Sequence, residues 1–269
     1  MILDSIKIYV KSHQKIKNMY LIFRRLIFPI VNPLKFFNIY KVFNYIKDIA
    51  AYRRAGGSVK LTELWPILNE KTAETKIDPQ YFYQAIWGFS KIKESEVKEH
   101  VDIGSQVNMV GLLTTITKIK FIDIRPLVLN INNYEGINGS ILELPLLDGS
   151  VKSLSCMHVI EHIGLGRYGD PIDPKGSIKA VNEIQRVLEK NGKAYITVPI
   201  GRERTQFNSQ RIFNVNNFIS MFSECNLNEM AYVNTVGEYI EKIEPRNVSI
   251  DEHDAGNDYG LGLFVFEKK

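Results

Sequence analysis

The spacing of apolar residues changes near Lys98, and this change divides the chain into two kinds of pattern. Before it, apolar and aromatic side chains recur every three or four positions, as at Phe36, Phe37, Tyr40 and Phe43, which predicts amphipathic helices. After it, short apolar runs alternate with helical stretches. Alternating strands and helices are typical of a mainly parallel sheet with crossover connections. We therefore predict an α/β fold preceded by helices.

Turn and breaker residues set the limits of the predicted elements. The predicted strands are 100–104, 119–123, 151–157, 193–198, 227–236 and 261–267, and the predicted helices are 106–116, 177–188 and 215–222. The predicted domains are a basic, aromatic helical extension at 1–57, a helical lead-in or lid segment at 58–97, and the α/β domain at 98–269. An insertion at 238–258, with Asp251, Glu252, His253 and Asp254, is predicted to be a solvated loop.

Charge is spread unevenly along the chain. The first 50 residues carry +7, whereas the rest carries −3 of a total of +4. A near-neutral body argues against a nucleic-acid partner, because binding to phosphate backbones normally needs a basic face. Two interpretations of the N-terminal segment remain open. Residues 1–54 lie on an anionic membrane surface as a peripheral contact, or they form a helical cap on the α/β domain or on a second subunit of a homo-oligomer.

Cysteine usage and hydropathy indicate the compartment. The two cysteines, Cys156 and Cys225, form no CxxC pair or framework, which favours a reducing environment. The most apolar stretch, 19–31, is interrupted by Arg24, Arg25 and Pro29 and is too short and too charged to span a bilayer. We expect a cytoplasmic protein, at most peripheral to the inner face of the membrane.

The densest chemistry lies after the predicted strand 151–157. His158, Glu161 and His162 occur within five residues, and a glycine-rich loop with Arg167, Tyr168 and Asp170 follows. In α/β folds, ligands bind at the carboxyl edge of the sheet, where such loops emerge. We therefore expect the reacting part of a site here.

Two further strand ends carry residues suited to a nucleotide. Asp102, Gly104 and Ser105 lie at a strand-to-helix junction, where glycine lets backbone amides approach a ligand closely. Asp123, at the end of the next strand, is placed to accept hydrogen bonds from a ribose diol. The pair predicts a nucleotide-containing cofactor.

The order of these motifs resembles a known family. Asp102-x-Gly104, Asp123, the run LPLLDGS at 144–150, HVIEH at 158–162 and Arg186-Val187-Leu188 with Asn191-Gly192 are similar to class I S-adenosylmethionine (SAM)-dependent methyltransferases over about residues 98–267. More closely, HIGLGRYGDP and PIGRERTQFN resemble a Caenorhabditis-type family of unknown function. Bacterial members of that family are often linked to surface-polysaccharide synthesis.

The resemblance implies a Rossmann-like sheet of seven strands, mostly parallel, whose last strand is antiparallel. It implies SAM as the cofactor. The residues that it implies for SAM binding are Asp102, Gly104, Ser105, Asp123, Ser140, Ile141 and Met157. The chain departs from the family pattern at two places, since fewer glycines follow Gly104 and Ser140 replaces the acid that commonly lies near the adenine. A serine hydroxyl still bonds an adenine amine.

Three roles remain open for the HVIEH residues. An imidazole suits a general base for methyl transfer to oxygen, which favours His158. If the chain is helical there, Glu161 and His162 share the face of His158. The motif also resembles the ExxEH ligand set of some metal-dependent methyltransferases, so a divalent metal on His158, Glu161 and His162 is the alternative. In the third role, Glu161 and His162 only brace the next loop.

The acceptor is predicted from two arginine-rich loops. The predicted substrate residues are Arg167, Tyr168, Asp170, Arg202, Arg204, Asn208 and Arg211. Guanidinium groups bind phosphate or carboxylate in a bidentate manner, and an aromatic ring stacks on a sugar. A network of salt bridges among these residues is the alternative. The sequence thus predicts an O-methyltransferase for a sugar, nucleotide sugar or glycan precursor of a bacterial surface polysaccharide. The alternative is a non-catalytic module that binds such a ligand.

Overall fold

The computed structural model describes residues 39–125, 127–248 and 259–269. The chain forms two compact units, whose described parts are 39–76 and 77–269. Residues 1–38 of the predicted extension lie outside the described residues. So do residues 249–258, which include Asp251, Glu252, His253 and Asp254 of the predicted solvated loop.

The first unit contains one long helix, α1 (Ile39–Arg54), and a short 3-10 turn at Leu61–Glu63. After the helix, the chain turns back because Arg53 donates to the carbonyl oxygen of Val59 at 2.9 Å. Within the described residues 39–125, 127–248 and 259–269, no helix combines the length and the apolar character needed to cross a bilayer.

The second unit is an α/β domain. Its helices are α2 (Pro79–Glu94), α3 (Val107–Leu113), α4 (Gly176–Val187) and α5 (Val215–Met221), with 3-10 turns at Ile160–His162 and Pro245–Asn247. Its strands are β1 (Glu99–Ile103), β2 (Lys118–Asp123), β3 (Tyr134–Asn138), β4 (Val151–Met157), β5 (Leu188–Ile200), β6 (Arg204–Gln206), β7 (Gln210–Ile212), β8 (Cys225–Val233), β9 (Tyr239–Ile240) and β10 (Gly260–Lys268).

The described strands form one 8-stranded sheet in the order β3-β2-β1-β4-β5-β10-β8-β9, and β6 and β7 form a separate hairpin. Strands β1 to β5 are parallel, and β10 runs antiparallel to both β5 and β8. This confirms the predicted Rossmann-like sheet and its antiparallel last strand. The predicted number of seven strands is wrong, because the two-residue strand β9 extends the edge beside β8.

The order of the strands reverses between β1 and β4. Loops that leave these two strands diverge to opposite faces, which opens a crevice at the carboxyl edge of the sheet. Gly104 and Ser105 follow β1, and His158 follows β4. The topology therefore brings the two predicted halves of the site together.

Strand β3, strand β9 and the β6–β7 hairpin have no counterpart in the sequence prediction. Strand β9 and the 3-10 turn Pro245–Asn247 lie in the predicted solvated loop 238–258, so that prediction is wrong for this part of the segment. Strand β3 is mostly polar, with only Tyr134 and Ile137 as large apolar residues, and it forms because its backbone continues the ladder of β2. The hydroxyl of Tyr134 donates to the carbonyl oxygen of Leu127 at 2.7 Å and fixes the preceding turn. The β6–β7 hairpin is also short and polar.

Apolar clusters cover both faces of the sheet. On one face, α4 and α5 pack over an aromatic group comprising Phe213, Phe218, Phe222, Phe264 and Phe266. On the other face, Trp87 of α2 and Met109 and Leu113 of α3 pack with apolar residues of β2, β4, β5, β8 and β10. Helix α2 is therefore an integral layer of the α/β unit, although the sequence prediction places it in the segment 58–97.

The first turn of α2 is fixed by a cap. Asp78 accepts hydrogen bonds from the backbone amides of Gln80 and Tyr81, and Pro79 occupies the first helical position. The helix thereby begins at the carboxyl edge of the sheet. Its first turn presents Tyr81 to the crevice.

Candidate functional site

A cleft at the carboxyl edge has two adjoining compartments. Both are lined by Gly104, Asp123, Arg125, His158, His162 and Tyr168. The first compartment adds Ile124 and Ser140–Leu142, and the second adds Tyr81, Ser105, Gln106, Val107 and Met157. Six of the seven predicted SAM-binding residues therefore line the cleft, and Asp102 is the exception.

Gly104 forms the floor where the two compartments meet. Its φ is +61°, a left-handed conformation that costs little only for glycine. A Cβ atom there would lie 3.4 Å from Oδ2 of Asp123. The turn after β1 therefore leaves room for a ligand to approach the backbone closely.

Asp123 ends β2 and faces both compartments. Its Oδ1 accepts a hydrogen bond from the backbone amide of Arg125 at 2.7 Å, which fixes the orientation of the carboxylate. An ionised carboxylate has about four acceptor positions, so capacity for two hydroxyl donors remains. The position fits the predicted role in holding a ribose.

Asp102 is fully buried beneath the turn and does not line the cleft. It accepts hydrogen bonds from the backbone amide of Ser105 at 3.0 Å and from the hydroxyl of Ser155. The Ser105 hydroxyl in turn accepts from the amide of Met157 at 3.1 Å. Asp102 therefore ties the turn after β1 to β4, which is a positioning role and not contact with a cofactor.

The chain of buried polar groups continues to His100, which sequence reasoning missed. Nε2 of His100 lies 2.8 Å from the Ser155 hydroxyl oxygen, and its Nδ1 lies 2.7 Å from that of Ser153. Burial lowers the pKa of His100 to about 3, so the ring is neutral. Because Ser155 donates its single proton to Asp102, Nε2 of His100 must carry the ring proton and donate to Ser155. The signal in the sequence was a histidine inside an apolar strand beside a Ser-x-Ser strand.

We expect the Asp102→Asn variant to lose a pH dependence of stability. Burial raises the pKa of Asp102 from 3.8 to about 6, so the folded state holds this proton more tightly than the unfolded chain does. The stability from this proton is present below pH ~4 and is lost as the pH rises to about 6. The free energy of unfolding of the wild type, relative to the variant, should rise by about 1 kcal/mol per pH unit on acidification through this window.

Urea unfolding of both proteins at pH 7, 6 and 5 measures this difference. Asparagine still accepts from the Ser105 amide, and its own amide donates to Ser155, so the turn should survive. A difference that stays constant with pH would contradict the assignment.

His158 is held from three sides. Its φ of +57° turns the chain out of β4, and its amide donates to the carbonyl oxygen of Thr197 at 3.1 Å. Its Nδ1 lies 2.7 Å from Oε1 of Glu161, which is fully buried. Tyr81 stacks on the imidazole, with 4.9 Å between the ring centroids. Nε2 of His158 is buried and has no hydrogen-bond partner among the described residues.

The HVIEH segment is not an α-helix, so the condition for a shared helical face is not met. His158 is left-handed, and residues 160–162 form a 3-10 turn. Glu161 nevertheless meets both histidines, because its Oε1 also lies 3.7 Å from Nε2 of His162. Nδ1 of His162 lies 2.7 Å from the carbonyl oxygen of Ser209 and therefore donates to it. Burial lowers the pKa of His162, which favours a neutral ring.

At this motif, Nδ1 of His158 is already bonded to Glu161, and Nδ1 of His162 is already bonded to the carbonyl oxygen of Ser209. Among residues 39–125, 127–248 and 259–269, no group of three or more His, Cys, Asp or Glu side chains is arranged to hold a metal ion. The arrangement is that of an imidazole oriented by a buried carboxylate.

The glycine-rich loop is folded around Asp170. Its Oδ2 accepts from the amides of Gly164 at 2.6 Å and Gly166 at 3.4 Å, so this predicted substrate residue serves to shape the loop. Arg167 donates to the carbonyl oxygen of Ser209 at 3.0 Å. The loop thereby carries Tyr168 over the cleft.

Two guanidinium groups contact the ring of Tyr168. The guanidinium carbon of Arg125 is 4.6 Å from the centre of the Tyr168 ring, and that of Arg167 is 5.1 Å from it. Cation–π contacts of this kind join the end of β2 to the loop after β4. Sequence reasoning missed Arg125, and the only signal was a basic residue two positions after Asp123.

The remaining predicted substrate residues lie on or beside the β6–β7 hairpin and are not among the described residues that line the cleft. Arg211 donates to the carbonyl oxygen of Ile163 at 2.5 Å and to the Ser177 hydroxyl at 3.1 Å, so it braces the loop. Arg202 and Asn208 are exposed. Arg204 donates to the Arg202 carbonyl, but its Nε and Nη2 are buried without a partner in the described part of the chain.

Solved structures show which class of fold this is. The α/β domain is similar to a candidate sarcosine dimethylglycine methyltransferase from Galdieria sulphuraria, with 14% identity, a TM-score of 0.50, and coverage of 70% of this chain and 86% of the other. It is also similar to the [4+2]-cyclase SpnF, with 13% identity, a TM-score of 0.47, and coverage of 72% of this chain and 85% of the other. A third similar structure is the N-methyltransferase NodS from Bradyrhizobium japonicum WM9, with 11% identity, a TM-score of 0.46, and coverage of 70% of this chain and 96% of the other. The domain has the class I SAM-dependent methyltransferase fold.

A more particular likeness covers the second half of the site. Residues 148–247 match the family described as Caenorhabditis protein of unknown function, DUF268. The matched range contains the HVIEH motif, the glycine-rich loop and the β6–β7 hairpin. Comparison with curated protein sequences gives no significant match.

Proposed function

We propose that this protein is a SAM-dependent O-methyltransferase that acts on a sugar, nucleotide sugar or glycan precursor in the synthesis of a bacterial surface polysaccharide. The observation that carries the proposal is the His158–Glu161 pair. Its 2.7 Å contact holds an imidazole whose second nitrogen is buried, has no partner in the described structure and lies at the cleft. This cleft occupies the place where the class I fold presents its chemistry.

The cleft residues fit SAM. Gly104 allows close approach of the ligand to the backbone, and Asp123 retains acceptors for a ribose diol. Ile124, Ile141 and Ser140 line the first compartment, which suits an adenine ring with an apolar surface and polar edges. When bound, SAM supplies a methyl group on a positively charged sulfur. The second compartment, with Tyr81, Met157 and His158, then receives the methyl group and the acceptor.

His158 serves as the general base in this proposal. Glu161 accepts a hydrogen bond from the Nδ1–H group of His158. The lone pair on Nε2 is therefore free to take the proton of an acceptor hydroxyl. In the transfer, the acceptor oxygen bonds to the methyl carbon, the methyl carbon–sulfur bond breaks to leave S-adenosylhomocysteine, and the hydroxyl proton passes to Nε2. The buried carboxylate then stabilises the imidazolium. Sugar hydroxyls ionise only far above neutral pH, so they gain more from a positioned base than stronger nucleophiles do.

The rim of the cleft supports an anionic acceptor. Arg125 and Arg167 both contact the ring of Tyr168 at the cleft, so two positive charges lie beside it. A phosphate-bearing or nucleotide-activated sugar matches this charge better than a neutral sugar does.

The test is methyl transfer from isotope-labelled SAM to matched acceptors. The panel contains nucleotide sugars, sugar 1-phosphates, the corresponding free sugars and aminosugars, with products identified by mass spectrometry and NMR. We expect an O-methyl product from a phosphorylated acceptor and at least tenfold lower kcat/KM for the free sugar. Transfer only to amines would contradict O-methylation. SAM binding by calorimetry without transfer to any acceptor would favour a non-catalytic binding module.

A further inference from the structure

Helix α1 exposes large apolar side chains. Tyr40, Phe43 and Ile46 have exposed fractions of 57%, 62% and 54%. Val42 and Ile49 are partly buried, so the helix has an inner and an outer face. Burial of apolar area is the main source of folding free energy, and a helix that turns such residues outward leaves this energy available for binding.

Three of the four basic residues of α1 follow the same division, whereas Lys41 lies about 160° from Phe43 and donates to Oδ1 of Asn69 at 2.9 Å. At about 100° per residue, Ile46, Ala50, Arg54, Lys47 and Tyr40 all lie within about 60° of Phe43, and Arg53 lies at about 80°. The apolar strip is thus bordered by basic residues on both sides. Asp48, the one acid in the helix, lies about 140° away and pairs with Lys71 at 3.5 Å.

We propose that this face of α1 binds an anionic membrane surface. A helix lies in the interface of a bilayer when an apolar strip enters the acyl boundary and flanking lysines or arginines reach the headgroups. Phe43, Ile46 and Ala50 form the strip, and Lys47 and Arg54 are placed to reach the headgroups. Beside them, Arg53 uses one Nη atom to donate to the Val59 carbonyl and keeps its other donors for headgroups. The turned-away, paired carboxylate of Asp48 removes the repulsion that an acid on this face would cause.

Anionic lipid suits this face better than a protein groove. A protein groove for an amphipathic helix would cover the strip but would need acids matched to three separate basic positions. A sheet of anionic headgroups satisfies all three without a matched geometry, and each contributes independently. The helix is 16 residues long, which suits lying on the surface.

Sedimentation of the full-length protein with vesicles tests the proposal. We expect binding to phosphatidylcholine vesicles that contain about one third phosphatidylglycerol, at least tenfold weaker binding to pure phosphatidylcholine, and loss of binding as salt rises. F43S/I46S and K47E/R54E should each weaken binding at least tenfold. K60E/K76E is the charge-matched control, since both lysines are exposed in the same unit and lie off α1. It should bind nearly as well as the wild type.

Three outcomes would overturn the proposal. The first is equal binding by K47E/R54E and K60E/K76E, which would reduce the effect to net charge. The second is unchanged vesicle binding by F43S/I46S with a lower melting temperature, which would make the strip a packing surface. The third is a dimer mass in light scattering that F43S/I46S converts to a monomer without any vesicle binding by the wild type. That result would assign the face to a second copy of the chain.

Discussion

His158→Gln is expected to lower kcat by about 10²–10⁴, the usual range for loss of a general base. Glutamine fills similar space and retains polar atoms, but it does not take up a proton at neutral pH. SAM affinity should change little, because Asp123 and the backbone at Gly104 supply the cofactor contacts in this proposal. Single-turnover methyl transfer and calorimetry on the same preparation separate the two effects.

Glu161→Gln and His162→Gln distinguish the base from other roles of the motif. Glu161 touches Nδ1 of His158, so its loss should lower kcat and change the pH profile through the imidazole. His162 donates to the carbonyl oxygen of Ser209, so His162→Gln should mainly affect loop stability. A metal mechanism predicts instead that EDTA abolishes activity, that Mg²⁺ or Mn²⁺ restores it, and that all three residues are equally sensitive.

One result would contradict both the general-base mechanism and the metal mechanism. Full activity of a metal-free His158→Ala variant would leave positioning of the acceptor as the source of catalysis. In that case the residues around Tyr168 would become the main determinants of rate.

Asp123→Ala is expected to weaken SAM binding by tenfold or more. Each hydrogen bond to a charged group contributes about 1.5–3 kcal/mol, and a carboxylate that holds a ribose diol accepts two. Asp123→Asn keeps an acceptor for the Arg125 amide, so it tests the charge with the turn intact. Calorimetry with SAM measures both variants.

Glu135→Ala is the matched control for this loss of a carboxylate. Glu135 lies on the neighbouring strand β3 and pairs with Lys118 at the surface at 3.3 Å. Exposed pairs of this kind contribute little. The control should therefore bind SAM as the wild type does. Equal affinities for Asp123→Ala and wild type would place the ribose elsewhere.

The sequence predicted the sheet well where the strands are apolar. Strand β4 was predicted with its observed limits, and β1, β2 and β10 within one residue of theirs at every end, because short stretches of strand-forming residues there are bounded by turn signals. It missed β3 and β9, since edge strands form by continuing a backbone ladder and need few apolar side chains. The limits of β5 also differ, because the Asn191–Gly192 turn lies inside that strand as an irregularity.

For the site, the amino-acid sequence by itself determined the strand-end residues. Gly104, Asp123 and His158 follow directly from the ends of β1, β2 and β4, and any parallel sheet with this strand order brings them to one edge. Local sequence also determined that Glu161 stays within reach of His158. His158 and Glu161 are only three residues apart, so the backbone between them keeps their side chains close.

Only the tertiary structure decided which predicted groups face the cleft. Asp102 points away from the cleft and joins a buried hydrogen-bond network with Ser155 and His100. The guanidinium of Arg211 donates to the carbonyl oxygen of Ile163 in the loop. Tyr81 enters the site from α2, and Arg125, which follows Asp123 closely, contacts Tyr168 of a loop that is distant in sequence. The physical reason is that each contact joins side chains from separate elements. Packing of the layers, and the need to satisfy every buried polar group, decides such contacts, and neither is encoded in local periodicity.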